Sequence, residues 1–140
     1  MQNGKRLSLL FNDLLTASSS FEQSLQLDLK KFSEFESDVI KSGQLQKFEY
    51  TIELLWKTLK KYFELKREIF LLYPKDVIKA FFAETAITEE TYITLIDAID
   101  SRNLLSHVYK VEMFELVHPL LNNYAKAIRH TCTAIEPHTF

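Results

Sequence analysis

Glycine and proline are scarce in this chain of 140 residues, which contains only two glycines and three prolines. Average usage would supply roughly 17 residues of these two types. Sandwiches, barrels and doubly wound sheets need frequent tight turns, where glycine supplies a positive φ and proline presets φ. The composition therefore predicts long helices with few connections. It also excludes the glycine-rich loops that bind dinucleotides or phosphates.

Cysteine and long apolar runs are also nearly absent. The single cysteine, Cys132, excludes an intrachain disulfide, which suits a reducing cytoplasm. The longest wholly apolar stretches have about five residues, such as Ile69 to Tyr73, against the 18 or more that a membrane span requires. Residues Met1 to Arg6 are polar and do not lead into the apolar run of a signal peptide. We therefore expect a cytoplasmic protein without a membrane segment.

Neither sign of charge dominates. Seventeen basic and nineteen acidic residues give a formal net charge of -2. This balance argues against a protein that coats nucleic acid through a global positive field, although a local site remains open. Eleven Phe, six Tyr and one Trp favour a thick apolar core, or a core together with an oligomer interface.

The first half of the chain carries two long helical patterns. Apolar residues recur at three- and four-residue spacing over about 5–38. Ser19 followed by Glu22 offers a capping box, so a single helix competes here with two helices that break at the serine run. Gly43 is the predicted stop of this region. The second pattern covers about 44–72.

The second half predicts three further helices. Pro74 lies in the first turn of a short one, and Thr88 has the character of an N-cap for the next. The last pattern covers about 111–134 and contains Pro119, so we expect a kink near His118. The fold class that follows is all-α: an antiparallel four-helix bundle with one short extra helix, in a single domain.

The end of the predicted fourth helix and the residues after it, from Asp97 to Tyr109, contain the side chains best suited to catalysis. If the helix continues through them, Asn103 and His107 share a face, while Arg102 lies about 140° from His107 at about 100° per residue. A histidine transfers protons near neutral pH, and an arginine holds a phosphate and stabilises its developing charge. The functional interpretation is general acid–base catalysis at a phosphodiester, which needs no metal.

A structural interpretation stands beside the functional one. Arg102 and His107 would lie at a helix C-terminus because cations are favoured there, and Asn103 would be satisfied by a backbone carbonyl. The R-x4-H spacing alone does not decide between the two interpretations. The addition of Tyr109, two residues after the histidine, makes a chance match much rarer.

Three ordered blocks of this sequence resemble one known family. Arg102-x4-His107-x-Tyr109 matches the R-x4-H-x-Y signature of HEPN (higher eukaryotes and prokaryotes nucleotide-binding) toxins paired with minimal nucleotidyltransferase antitoxins. Residues 46–60 resemble the "QRFE-T-EL-WK-LK" segment of the branch called nucleotidyltransferase substrate-binding proteins, and residues 74–82 resemble the helix between these blocks. The resemblance covers about Gln44 to Ala134, so the region 1–43 lies outside its clearest part.

The resemblance implies a dimeric bundle that brings two R-x4-H motifs into one cleft and cleaves RNA without metal or cofactor. His107 is then the acid or base, Arg102 binds the scissile phosphate and Asn103 orients them. Tyr109 is the position at which the partner nucleotidyltransferase attaches AMP and silences the toxin. Lys110 and Val111 follow it, where many relatives carry an acidic residue.

The resemblance leaves a second hypothesis open. The chain is then a non-catalytic subunit that presents a substrate, or itself, to the nucleotidyltransferase. Both hypotheses imply a nucleotidyltransferase partner, and only the first requires an RNA substrate.

Other polar residues receive structural interpretations. Trp56 has the spacing of a core or interface residue, and Glu53 with Lys57 is an (i, i+4) ion pair. His118 and the other histidines form no H-x3-H pair, so no metal site is predicted. Cys132 is interpreted as a packing residue.

Overall fold

The structure, a computed structural model, describes residues 2–84, 86–107 and 111–139, with side chains over 4–84, 86–106 and 111–135. Within these residues the regular structure is helical and no strand occurs, which confirms the predicted all-α class. None of the described helices has an apolar window long and uncharged enough to cross a bilayer. The α-helices are α1 (Gln2–Leu25), α2 (Glu34–Lys66), α3 (Pro74–Ala83), α4 (Glu89–His107), α5 (Val111–Val117) and α6 (Leu121–Thr139), with 3-10 turns at Leu29–Lys31 and His118–Leu120.

Helices α1 and α2 form an antiparallel hairpin. The buried Gln44 side chain donates through Nε2 to the Ser24 carbonyl at 2.7 Å. Seven residues further along α2, Thr51 Oγ1 lies 3.4 Å from the Ala17 carbonyl, seven residues earlier in α1. Equal steps in opposite directions fix the register of the hairpin.

The short helix α3 packs antiparallel to α4. The rings of Phe82 and Tyr92 stack with centroids 4.5 Å apart. At the other end of α3, Lys75 Nζ lies 2.5 Å from Asp100 Oδ1. These pairs place the start of α3 beside the C-terminal half of α4.

Helix α6 runs in the same direction as α2 and closes the bundle. His118 Nε2 lies 2.6 Å from Gln44 Oε1, and the rings of Phe48 and Tyr124 stack at 5.2 Å. One apolar core joins all of these helices. Its fully buried members include Phe21, Phe48, Ile52, Leu55, Leu59, Ile78, Leu95, Leu121 and Ile128.

The break after the first helix lies later than the serine run. Helix α1 continues through the serines, where Ser18 and Phe21 are buried, so the alternative with a capping box at Ser19 and Glu22 is wrong. The alternative of a single helix over about 5–38 is also wrong, because α1 ends at Leu25 and α2 begins at Glu34. The capping box of this region begins α2: Ser33 Oγ accepts from the backbone N–H of Glu36 at 3.1 Å, and Glu36 accepts from that of Ser33 at 2.9 Å. Burial of apolar surface outweighs the weak helix propensity of serine.

Two predicted boundaries of the second helix are also wrong. Gly43 lies inside α2, has no positive φ, and a Cβ there would meet nothing within 4 Å. The helix therefore begins at Glu34, well before Gln44. It ends at Lys66 rather than Leu72, because Glu68 adopts the left-handed region with φ 55°.

The predictions for the second half agree better with the structure. Pro74 is in the first turn of α3, and Thr88 Oγ1 accepts a backbone N–H of the first turn of α4 at 3.2 Å. The 3-10 turn around Pro119 interrupts the last helical region at the predicted place. Its flanking residues Val117 and Leu121 both keep right-handed helical dihedrals, so α5 and α6 are joined through the 3-10 turn without a loop.

Glu68→Gly is expected to raise the free energy of unfolding by about 1 kcal/mol. A side chain in the left-handed region costs roughly 1–2 kcal/mol, part of which is offset by the greater freedom of glycine in the unfolded chain. Urea unfolding of both proteins measures the difference. Glu68→Ala is the matched control, because alanine keeps the Cβ; an equal gain in that variant would contradict the explanation.

Candidate functional site

Three of the four predicted site residues, Arg102, Asn103 and His107, lie at the C-terminal end of α4. The helix continues through His107, which is the condition for Asn103 and His107 to share a face. The structure places the side chains of Arg102 and Asn103. For His107 it describes only the backbone, and Tyr109 lies outside the described residues.

Arg102 is held by a carboxylate of α2. Its Nη2 lies 2.9 Å from Glu53 Oε2, an oxygen that also accepts from Trp56 Nε1 at 3.0 Å. The other oxygen, Oε1, lies 3.3 Å from Lys57 Nζ. The predicted Glu53–Lys57 ion pair is therefore confirmed. It is part of a larger cluster in which one glutamate binds three donors.

Another donor of the same guanidinium has no acceptor. Arg102 Nε is buried and lacks a hydrogen-bond partner within the described part of the chain. An unsatisfied buried donor costs about 1–3 kcal/mol. Native proteins tolerate such groups at functional sites, where a ligand or water supplies the acceptor.

Glu49 lies one turn before Glu53 and also acts on Arg102. Burial raises the pKa of the Glu49 carboxyl, and the positive charge of Arg102 partly opposes this rise. Two glutamates thus balance the charges of Arg102 and Lys57. A phosphate entering this site has to compete with Glu53 for the arginine.

Glu49→Gln is expected to stabilise the protein more at pH 7 than at pH 4. The folded-state pKa of Glu49 lies above its unfolded value, so the favourable contribution of its protonated form is present below the unfolded pKa and is lost as pH rises through the folded pKa. Glutamine does not ionise, so the variant does not lose this stability as the pH rises. Melting temperatures of both proteins from pH 4 to 7 measure the effect.

The same measurement in an Arg102→Ala background is the control. Without the arginine the pKa of Glu49 rises further, so the pH-dependent gain from Glu49→Gln should increase. A gain that is independent of pH would contradict the assignment.

A polar network around the buried Tyr124 side chain fixes the rotation of α4 against α6. Tyr124 OH donates to Asp97 Oδ2 at 2.5 Å and lies 2.8 Å from Ser101 Oγ. Burial, followed by the hydrogen bond to Asp97, raises the pKa of Tyr124, so its hydroxyl stays protonated. Ser101 directly precedes Arg102, and the network therefore sets the direction in which Arg102 leaves the helix.

Asn103 is exposed. The reason is the position of α3, whose first turn meets α4 at Asp100 and does not extend along this side of α4 to Asn103. The Arg102 carbonyl accepts from Ser106 Oγ at 3.0 Å. At about 100° per residue, positions 103 and 107 share one side of α4. Arg102 instead points toward α2.

The remaining candidates have structural partners. His118 binds Gln44, and burial, followed by the charge of Lys41, lowers its pKa. Cys132 is buried, and burial raises its thiol pKa to about 12, in keeping with a packing residue. The described residues contain no group of three or more His, Cys, Asp or Glu side chains arranged to hold a metal ion.

Sequence reasoning missed the contact between Glu53 and Arg102. The available signal was that both residues belong to the blocks that carry the family resemblance, one on each helix. Trp56, assigned to the core or an interface, packs against the core edge, and its indole N–H completes the glutamate cluster.

Comparisons with known proteins bear on the family and the fold of this chain. Residues 9–136 match the family model described as "Nucleotidyltransferase substrate binding protein like". A crystal structure of a protein from Thermus thermophilus has a TM-score of 0.73 at 22% identity, covering 89% of this chain and 98% of that chain. At this identity the likeness shows the fold alone. No curated protein matches the chain.

Proposed function

The chain belongs to the nucleotidyltransferase substrate-binding protein-like family, and from this premise we propose that it is a HEPN-type endoribonuclease of a two-gene toxin–antitoxin pair. The family description implies association with a nucleotidyltransferase. The finer assignment rests on the R-x4-H-x-Y string and on the cluster around its arginine.

The observation that carries the proposal is the placement of Arg102. Glu53 holds one nitrogen of the guanidinium, and a second is buried without an acceptor. A planar guanidinium fixed in this way is suited to a phosphate, because its donors form a rigid fork. It would stabilise the charge that develops on a phosphodiester during cleavage.

Proton transfer is assigned to His107. In RNA the ribose 2′-hydroxyl lies next to the scissile phosphate, so attack by this hydroxyl needs a base and departure of the 5′-oxygen needs an acid. An imidazole with a pKa near 6.5 serves either step at neutral pH. Asn103, exposed beside Arg102, would orient the phosphate or the histidine.

Silencing is assigned to Tyr109. Attachment of AMP by the partner nucleotidyltransferase would add a bulky group and a negative charge two residues from His107. Both features oppose the entry of a polyanionic substrate, the charge by repulsion and the nucleotide by occupying space.

A homodimer is part of the proposal. Arg102 points toward α2, while position 107 lies about 140° away around α4. A second copy that faces the first would bring residues of both motifs to one phosphate.

The test uses the purified chain without its partner and an RNA substrate, with EDTA present. The wild type should cleave RNA, and His107→Ala, with an unchanged circular dichroism spectrum, should not. If both proteins are equally inert, the catalytic assignment is wrong.

The family description favours a second candidate, a non-catalytic subunit that presents a substrate to the nucleotidyltransferase. It predicts a stable complex with the product of the neighbouring nucleotidyltransferase gene and no growth defect when the chain is expressed alone. Growth arrest that His107→Ala relieves would contradict it. A chain that is indifferent to that gene product would contradict both candidates.

A further inference from the structure

A cleft opens between the first half of α2 and α5, at the turn that carries His118, and is named the α5 cleft here. Its volume is about 290 Å³, close to the lower end of the ~300–1,000 Å³ typical of pockets for small ligands. Its apolar walls are Leu45, Val111, Phe114 and Pro119. Leu45 is buried and Phe114 packs against the core, so the bundle itself holds these walls in place.

His118 borders the α5 cleft with one ring nitrogen already bound. Gln44 Nε2 donates to the Ser24 carbonyl, so Gln44 Oε1 is an acceptor, and His118 Nε2, which lies 2.6 Å from it, is the donor. Burial, followed by the charge of Lys41, lowers the pKa of His118 and keeps the ring neutral at pH 7. Nδ1 therefore carries a lone pair, which has no hydrogen-bond partner among the residues that the structure describes.

Three charged side chains border the same cleft, Asp38 and Lys41 on α2 and Glu115 on α5. None of the three forms an ion pair within the described part of the chain. Two carboxylates and the lone pair of His118 accept hydrogen bonds, one ammonium donates them, and the hydroxyl of Ser42 can do either. A complementary ligand therefore has several N–H donors beside an acceptor, on an apolar body.

Guanine has this set of groups among the RNA bases. Its N1–H and N2–H₂ donors are adjacent and lie beside the acceptor O6, which suits a carboxylate next to an ammonium. Uracil has one donor between two acceptors, and adenine and cytosine have one amino group each. An arginine or lysine of a protein partner would offer Lys41 no acceptor and would place a second cation beside it. The apolar walls suit the faces of a flat ring.

The α5 cleft lies along the same side of α2 as the contact between Glu53 and Arg102. Leu45, Glu49 and Glu53 follow one another at four-residue intervals. Two such intervals correspond to about 12 Å along a helix. A single strand with one phosphate on Arg102 can therefore place a nearby base in the cleft.

We infer that the α5 cleft binds a guanine of the RNA substrate, whose N1–H and N2–H₂ groups donate to a cleft carboxylate and to His118 Nδ1, while Lys41 donates to O6. The inference rests on the proposed function for the identity of the polymer. It makes the cleft a specificity-determining site beside the phosphate site, so cleavage should occur close to guanines.

Binding of a non-cleavable probe tests the inference independently of catalysis. A fluorescent six-nucleotide 2′-O-methyluridine strand is compared with the same strand carrying one guanine, with the full chain and at one salt concentration. The guanine should tighten binding about tenfold, because a good contact to a base edge discriminates by this order. Inosine in its place lacks the 2-amino group and should lose most of the gain.

The double substitution Asp38→Ala with Glu115→Ala should bring the guanine and uridine probes to equal affinity. Glu112→Ala is the matched control, because Glu112 is an exposed acid of α5 that does not line the cleft. Removal of any acid strengthens binding to a polyanion whatever its sequence, so the ratio of the two affinities is the readout. The control should keep the ratio of the wild type.

Histidine-selective ¹⁵N spectra of the wild type give a second readout that needs no variant. They should show His118 in its Nε2–H form, with an Nδ1 resonance that moves on addition of the guanine probe and not of the uridine probe. The other tautomer, equal affinity of the wild type for the two probes, or no binding of either would overturn the inference. So would a double variant that keeps the wild-type ratio, or a control that loses it.

The cleft and the proposed ribonuclease can fail separately. RNA cleavage without a guanine preference in binding would overturn the inference and leave the ribonuclease in place. Guanine-selective binding without cleavage would support the inference and contradict the ribonuclease alone.

Discussion

Arg102→Ala is expected to lower the rate of RNA cleavage by about three orders of magnitude, since loss of one preorganised donor to a developing charge typically costs 10²–10³ in rate or more. The substitution removes the guanidinium assigned to the scissile phosphate. Single-turnover cleavage of a labelled RNA by the purified protein, without its partner, measures the effect.

The fold should survive this substitution. Glu53 keeps its hydrogen bond from Trp56 and its ion pair with Lys57, and the unsatisfied Nε disappears with the side chain. A partly exposed ion pair contributes about 0–1 kcal/mol, so the free energy of unfolding should change by no more than about 1 kcal/mol. A loss of activity with retained stability separates a substrate contact from a structural one.

Arg129→Ala is the matched control. Arg129 also forms an ion pair with a glutamate, Glu22, but it does so between α6 and α1. Cleavage by this variant should stay within about twofold of the wild type. If Arg102→Ala cleaves RNA as fast as Arg129→Ala, the assignment of the phosphate contact is wrong.

Phe48→Ala is expected to destabilise the fold by about 3–5 kcal/mol, the cost typical of removing a buried phenyl ring. Phe48 is fully buried, its ring stacks on Tyr124 of α6, and it lies 6.1 Å from the ring of Phe21 in α1. The substitution would leave a cavity where α1, α2 and α6 meet. Because whole domains are stable by only about 5–15 kcal/mol, this loss would be a large part of the total. Urea unfolding followed by circular dichroism measures the loss.

Phe35→Ala is the control for this loss. It makes the same chemical change on the same helix at an exposed position, so the free energy of unfolding should move by no more than about 0.5 kcal/mol. Similar losses in the two variants would show that the Phe48 side chain is not the core contact described here.

Helix boundaries were predictable where a local residue sets them. Thr88 and Pro74 act through their own side chain or ring, so their positions could be assigned from the sequence. Gly43 and the serine run mark weak preferences only. Burial of the neighbouring apolar residues against other helices overrides such preferences, and for this reason α1 and α2 continue through them.

The candidate site also has features that the sequence predicts and features that it does not. The relative directions of Arg102, Asn103 and position 107 follow from the helical repeat and were predictable. The exposure of Asn103 was not, because it depends on α3 ending its contact with α4 at Asp100. The buried Tyr124 network that orients this part of α4 joins residues far apart in the chain, so no local pattern indicates it.

The scarcity of glycine and proline was enough to determine a helical chain, because tight turns and sheet connections need those residues. The sequence also determined which residue types could bind a phosphate or transfer a proton, and their order along one helix. Only the tertiary structure decided that Arg102 meets Glu53 and that Phe70 and Leu72, between α2 and α3, stay exposed. The physical reason is that spacing within a helix sets which side a residue faces, whereas its partner across that side depends on the packing of the whole bundle.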